Sequence, residues 1–141
     1  APEPAALRRY LAEFLSDPRV VEIPRLVWKT ILHGIILRTR PRRSAESYAK
    51  IWTDQGSPLM VNSKLLTDRI ADELKHRIAG PVTVALAMRY GEPAIDRVLR
   101  DLQSNGVQRL LILPLYPQYS GTTTAPVFDG VAAKGIQYPR F

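Results

Sequence analysis

The sequence predicts an α/β protein built on a parallel β-sheet, and three observations carry that prediction. Residues 82–88 and 110–115 are apolar or small on both faces, as covered parallel strands are. Between them lies a segment of helical period with Ile95, Val98, Leu99 and Leu102 on one face. Strand, helix, strand over residues 82–115 makes a βαβ unit. Two strands are too few for a stable sheet of this kind, so further strands are expected before residue 1 or after residue 141. The chain of 141 residues therefore reads as part of a domain, incomplete because it is trimmed at both ends.

The elements follow in order. Leu7, Tyr10, Leu11, Phe14 and Leu15 form the stripe of an amphipathic helix, and Asp17-Pro18 stops it because a residue before proline avoids helical geometry. Leu26 to Leu37 is apolar on more than one face, so it is either deeply buried or turned toward something greasy; Gly34 weakens it as a helix. Ser44 to Trp52 predicts a short third helix. Ser57 before Pro58 is an N-cap followed by a first helical residue, opening a helix to about Ile78 with Leu66, Ile70, Leu74 and Ile78 on one face. Gly80-Pro81 stops that helix, Val82 to Met88 is the first strand, and Glu92-Pro93 starts the crossover helix that Asn105-Gly106 closes. Leu110 to Leu115 is the second strand, and a last helix is expected from about Ala125 to Lys134.

Composition narrows the function classes. Hydrophobic residues at 45% and charged residues at 23% allow a buried core and argue against wholesale disorder. The longest apolar stretch, Ile31 to Leu37, is interrupted by His33 and Gly34 and falls far short of the ~20 residues a membrane-spanning helix needs. The absence of cysteine excludes disulfides and thiolate metal sites within the chain and suits a reducing compartment. Neither an initiator methionine nor an apolar signal segment opens the sequence, which suggests a missing upstream segment. The net charge of +7 is concentrated in residues 1–50, around Arg38, Arg40, Arg42 and Arg43. Such a cluster invites phosphates, carboxylates or an acidic membrane surface; the plainer reading is a solvated face.

Ligands of parallel sheets sit beyond the carboxyl ends of the strands. Arg89-Tyr90-Gly91 follows the first strand, and Tyr116-Pro117-Gln118-Tyr119-Ser120-Gly121-Thr122-Thr123-Thr124 follows the second. Arg89, its charge facing the cleft, can pair with a carboxylate, the tyrosines offer aromatic surfaces, and the hydroxyl run sits where helix amides favour anions. The plainer reading makes the tyrosines core and the threonines caps. His33 and His76 lack ligand spacing and read as structural; no Walker loop and no GxGxxG is present.

These residues resemble the bacterial ferrochelatase family. The resemblance rests on Tyr10-Leu11-Ala12-Glu13-Phe14-Leu15-Ser16-Asp17-Pro18-Arg19-Val20, on Ile51-Trp52 with Gly56-Ser57-Pro58-Leu59, on Ala87-Met88-Arg89-Tyr90-Gly91, and on Leu113-Pro114-Leu115-Tyr116-Pro117-Gln118-Tyr119-Ser120. It runs in order through nearly the whole chain and fades from about Ala132. It implies a flavodoxin-like chelatase fold, a parallel sheet flanked by helices, with residues 1–141 forming most of the amino-terminal domain and the second domain absent. It implies a lyase of heme biosynthesis that inserts ferrous iron into protoporphyrin IX to form protoheme. The family's metal-handling histidine, in a Ser-x-His-Gly motif, and its partner glutamate lie in the second domain. No catalytic or metal-binding residue is therefore expected here, and the isolated portion is expected to be inactive.

What the resemblance leaves to this chain is porphyrin binding. It puts Arg40 and Tyr48 on the propionate and lip side and Ser57 near the substrate. Arg89, Tyr90, Tyr116, Gln118, Ser120 and Thr122 form the inner wall. Residues 26–43 match the lip, which in some members touches membrane, so a cytoplasmic protein with optional peripheral membrane contact is implied. No permanently bound cofactor is expected, ferrous iron being a substrate. Gly121 stands where some members carry a cluster-ligating cysteine, so no iron–sulfur cluster is implied. Two rival readings need no resemblance: a basic α/β module that binds nucleic acid or acidic lipid through Arg38 to Arg43, and an anion-binding domain using the threonine loop. The ferrochelatase reading includes no nucleic-acid partner.

Overall fold

The computed structural model describes residues 2–133, and every regular element among them is helical. Helix α1 spans Pro4–Leu15 and buries Leu7, Leu11 and Leu15, the i, i+4, i+8 face of the expected stripe. Helix α2 (Arg25–Ile31) runs into a π-helical turn, Leu32–Ile36, which continues as α3 (Leu37–Ala49). The third helix thus starts seven residues before Ser44 and ends at Ala49, short of Trp52, because the π turn carries the helical path from the lip through Pro41, which is buried inside α3. Leu32 and Leu37 are both buried although five residues apart. An α-helix would separate them by roughly 140°, whereas the wider π turn brings them toward one side.

Helix α4 covers Pro58–Arg77, and the Ser57 hydroxyl accepts from the Met60 amide at 3.1 Å as the expected N-cap. Helix α5 (Ile95–Ser104) starts later than Glu92-Pro93; there the Glu92 carboxylate accepts from the Ala94 amide at 3.1 Å, a turn that precedes the helix. Helix α6 is Thr124–Ala132. The expected end of the last helix at Lys134 lies outside the described residues.

Two hydrophobic clusters hold these elements. The first gathers Leu11, Leu15, Leu32 and Leu37, with Tyr10, Phe14, Val21, Trp28 and Ile36 packed against them, where α1 meets α3 and the π turn. The second joins Ile95, Leu99 and Val127 with Leu110, Ile112 and Val131, where α5 meets α6. Residues 26–37 are accordingly neither wholly buried nor wholly exposed. Leu32 and Leu37 go inward, while Leu26, Val27 and Ile35 face outward.

The expected parallel sheet is not formed among the described residues. Residues 82–88 and 110–115 make no strand ladder; of the isolated bridges among the described residues, Met88 with Ala94 touches the end of the first segment and Thr53 with Gly56 lies outside both. A strand is defined by hydrogen bonds to a neighbour, and these two segments do not pair with each other. Their sidedness nevertheless has a period of two. Val84, Leu86 and Met88 are half-buried between exposed Thr83, Ala85 and Ala87, and Leu110 and Ile112 turn in where Leu111, Leu113 and Leu115 turn out.

Candidate functional site

Helix α3 presents Arg40, Arg43, Ser44 and Ser47 at i, i+3, i+4 and i+7, one face of a helix. With Ile36, Thr39 and Tyr48 they line a cleft of about 530 Å³. Two guanidinium groups one turn apart, with hydroxyls beside them, make a rim suited to carboxylates or phosphates. The aromatic end of this cleft continues onto α1. Burial, and then the nearby phenols of Tyr48 and Tyr116 and the carboxylate of Glu13, push the Tyr10 phenol above its ordinary value. The Tyr10 ring stacks on Phe14, with centroids 5.9 Å apart, and Phe14 meets the Tyr90 ring edge to face at 5.1 Å. Two helices and two loops therefore bring Tyr10, Phe14, Tyr48, Tyr90 and Tyr116 into one aromatic neighbourhood.

The Arg89-Tyr90-Gly91 loop is tied down by the end of α1. Arg89 Nη2 donates to Asp17 Oδ2 at 2.7 Å, and Tyr90 Oη donates to the same oxygen at 2.9 Å. Asp17 Oδ1 accepts from the Arg19 amide at 2.9 Å, and Glu13 Oε2 accepts from the Gly91 amide at 2.9 Å. Arg89 Nε donates to the Pro126 carbonyl at 2.6 Å, so the same side chain reaches α6. Its guanidinium carbon lies 4.7 Å from the Tyr90 ring centroid. Gly130 accommodates this arm: a Cβ there would lie 3.4 Å from Arg89 Cδ and Nε. Burial first, then the hydrogen bond to Asp17, holds the Tyr90 phenol well above the ordinary tyrosine value. Arg19 completes the frame by pairing with Asp129 of α6.

The loop before α6 is organised by Ser120. Its hydroxyl lies 3.1 Å from Thr122 Oγ1 and 2.7 Å from Thr123 Oγ1, and its carbonyl accepts from the Thr123 and Ala125 amides. These hydroxyls engage one another at the start of the helix. Gln118 is exposed, as are Tyr116 and Tyr119.

The sequence-predicted residues thus fall into four places. Arg40 and Tyr48 share the α3 cleft, Arg89 and Tyr90 share the Asp17 anchor, Ser120 and Thr122 share the hydroxyl cluster, and Ser57 caps α4. Tyr116 joins the aromatic neighbourhood through Tyr10, while Gln118 stands on the exposed stretch before Ser120. Arg89 differs from expectation. Its charge is turned to Asp17 and the Pro126 carbonyl rather than into an open cleft, because a buried carboxylate needs a counter-charge. Arg43 was named by sequence only as part of the basic cluster, and Ser44, Ser47, Tyr10 and Asp17 were not singled out as site residues. The first three share the helical spacing of Arg40 and were legible in principle; Asp17 meets its partners only through folding. His33 and His76 are exposed, and no three metal-ligating side chains gather among the described residues. No helix among them is long and apolar enough to cross a membrane.

Comparison with known proteins gives one consistent result. The family model described as Ferrochelatase matches residues 1–139. The ferrochelatase of Marinobacter nauticus is 56% identical over 132 residues, 94% of this chain and 36% of its own length. That of Thioalkalivibrio sulfidiphilus is 57% identical over the same shares. Ferrochelatase 2 of Shewanella oneidensis is 51% identical over 98% of the chain and 42% of its own length. The chain therefore spans well under half the length of the curated relatives it matches. No solved structure matches it.

Proposed function

The chain belongs to the ferrochelatase family, and from that premise we propose that it supplies the porphyrin-binding part of an enzyme that inserts ferrous iron into protoporphyrin IX. The observation that carries this reading is the α3 cleft, with Arg40 and Arg43 at one end and the aromatic neighbourhood of Tyr48 at the other. Protoporphyrin is an apolar disc with two carboxylates on one edge. The arginines take the carboxylates, and Tyr48, Tyr10, Tyr90 and Tyr116 give the ring apolar surface. A volume of about 530 Å³ is in the range of small-molecule sites.

On this reading Ser57, Gln118, Ser120 and Thr122 line the approach to the ring, and Arg89 holds the wall in place. Residues 82–88 and 110–115 take their places in a parallel sheet of the chelatase fold; their period-two burial is that of extended backbone, and exposed Leu111, Leu113 and Leu115 leave an apolar face for the second covering layer such a sheet needs. Binding that twists the macrocycle would turn its nitrogen lone pairs toward the metal, binding energy used for distortion. The base that accepts the pyrrole protons is assigned outside these 141 residues. No iron–sulfur cluster is included, since Gly121 has no side chain to ligate one. Exposed Leu26, Val27 and Ile35, with Arg25 and Lys29 nearby in sequence, form a lip suited to peripheral contact with an anionic membrane.

The test is a titration of protoporphyrin IX into the natural polypeptide that carries this sequence, followed by porphyrin fluorescence, with ferrous iron then added anaerobically. Porphyrin binding, heme formation and an approximately tenfold weaker Kd for Arg40→Ala support the reading. Absence of porphyrin binding, or an Arg40→Ala variant that binds like wild type, overturns it.

A further inference from the structure

We propose that Asp17 is the positioning residue of the porphyrin wall, its carboxylate fixing the orientation of both Arg89 and Tyr90. This rests on the porphyrin reading above and adds a residue that makes no contact with the ring itself. Asp17 lies two residues past the end of α1, directly before Pro18, and its side chain is only 6% exposed. Its backbone carbonyl accepts from the Val20 and Val21 amides at 3.0 and 3.1 Å, which fixes the turn it sits in. Both carboxylate oxygens are then occupied: Oδ1 by the Arg19 amide, and Oδ2 by Arg89 Nη2 and Tyr90 Oη together.

Convergence on one oxygen sets two side chains at once. The Tyr90 side chain cannot swing about its Cα–Cβ bond without carrying Oη off Oδ2, and the Arg89 guanidinium over its face restrains the ring plane. The guanidinium cannot leave the Tyr90 face without losing both Oδ2 and the Pro126 carbonyl. The ring so held is the one that meets Phe14 edge to face, and Phe14 in turn stacks on Tyr10. A carboxylate 73 residues away in sequence therefore holds the Tyr90 ring where it meets Phe14. It also neutralises Arg89, so the wall presents no free cation to an apolar disc, and the ligand's carboxylates are left to the arginines of α3.

The experiment compares Asp17→Asn, Arg89→Gln and the double variant in the natural polypeptide. Protoporphyrin Kd, KM against kcat, and urea unfolding are read for each. Asp17→Asn keeps the shape and removes the charge; the expected result is a porphyrin Kd and KM raised about tenfold with kcat changed far less. Because Asp17 acts through Arg89 and Tyr90, the double variant should bind no more weakly than the worse single variant. Fully additive losses, or an Asp17→Asn variant with wild-type Kd, overturn the proposal. If Asp17→Asn does not fold, Tyr90→Phe keeps the ring and deletes only its bond to Oδ2. A severalfold weaker Kd then supports the proposal and an unchanged one overturns it. If wild type binds no porphyrin, the functional reading fails separately, and the positioning is read by alkaline absorbance titration. Asp17→Asn should bring ionisation of Tyr90 closer to that of an ordinary tyrosine; an unchanged titration overturns it.

Discussion

The indole Nε1 of Trp28 donates to the backbone carbonyl of Leu15 at 2.6 Å, joining α2 to the last residue of α1. That carbonyl belongs to the final turn of a helix, where acceptors have no intrahelical partner. Trp28→Phe keeps an aromatic ring against the first cluster but leaves the Leu15 carbonyl to water. The expected loss is about 1–2 kcal/mol in urea unfolding. A variant as stable as wild type would show that solvent replaces the indole fully.

Leu32 and Leu26 lie on the same apolar segment and predict opposite outcomes. Leu32 is 1% exposed among α1, α2 and α3 residues, so Leu32→Ala should cost about 2–5 kcal/mol through lost transfer energy and the cavity left behind. Leu26 is 85% exposed, and Leu26→Ala should change stability by less than about 0.5 kcal/mol. Equal effects in denaturant unfolding would contradict the orientation of the lip.

Arg89→Ala should destabilise the fold as well as weaken ligand binding. It removes the bond to Pro126 and leaves a buried Asp17 carboxylate without its counter-charge. Breaking a fully buried pair costs roughly 3–5 kcal/mol; with a guanidinium side chain still 24% exposed, a loss nearer to about 2 kcal/mol is expected. A midpoint within error of wild type would show that water already compensates Asp17.

Tyr90 predicts an alkaline loss of stability. Its phenol sits well above the ordinary value of 10.0, through burial and then the bond to Asp17. Below that value both folded and unfolded chains keep the proton, and the contribution is fully present. Above it the unfolded chain releases the proton while the folded chain holds it, so stability falls as pH rises toward the folded value. Tyr10 is displaced in the same direction, mainly by burial. Tyr90→Phe should therefore reduce, without abolishing, the drop in urea midpoint between about pH 9 and about pH 11. Parallel drops in the two proteins would remove Tyr90 as a cause.

Local signals were legible and non-local ones were not. The stripe of α1 and the Ser57 cap follow from residues within one or two turns, and the structure buries Leu7, Leu11 and Leu15 and caps α4 accordingly. The stripe expected on α4 divides: Ile70 and Leu74 are half-buried, whereas Leu66 and Ile78 are exposed, because periodicity sets a face but not what packs on it. The same division holds for residues 110–115, whose alternation shows in burial while pairing depends on a distant neighbour. Arg40 and Tyr48 share a cleft because one helix carries both. Asp17 looked like a helix stop, and nothing within several residues of it announces Arg89 or Tyr90 as its partners.

The π turn at Leu32–Ile36 gives the lip one place where its length can change without turning it. Such a turn holds one residue more than an α-helical turn, equivalent to a single-residue insertion in a helix running from Arg25 to Ala49. Five residues of the π turn cover nearly the rotation of four α-helical ones, so one deletion there would restore a plain α-helix and leave α2 and α3 close to their present phase. A deletion within α2 has no extra residue to absorb it. Each residue advances a helix by about 100°, so Leu26 and Val27 would then swing by more than a quarter turn. Gly34, where a Cβ would meet nothing within 4 Å, is open to substitution as well. In a lineage of such chains, this turn is where the count of residues would vary.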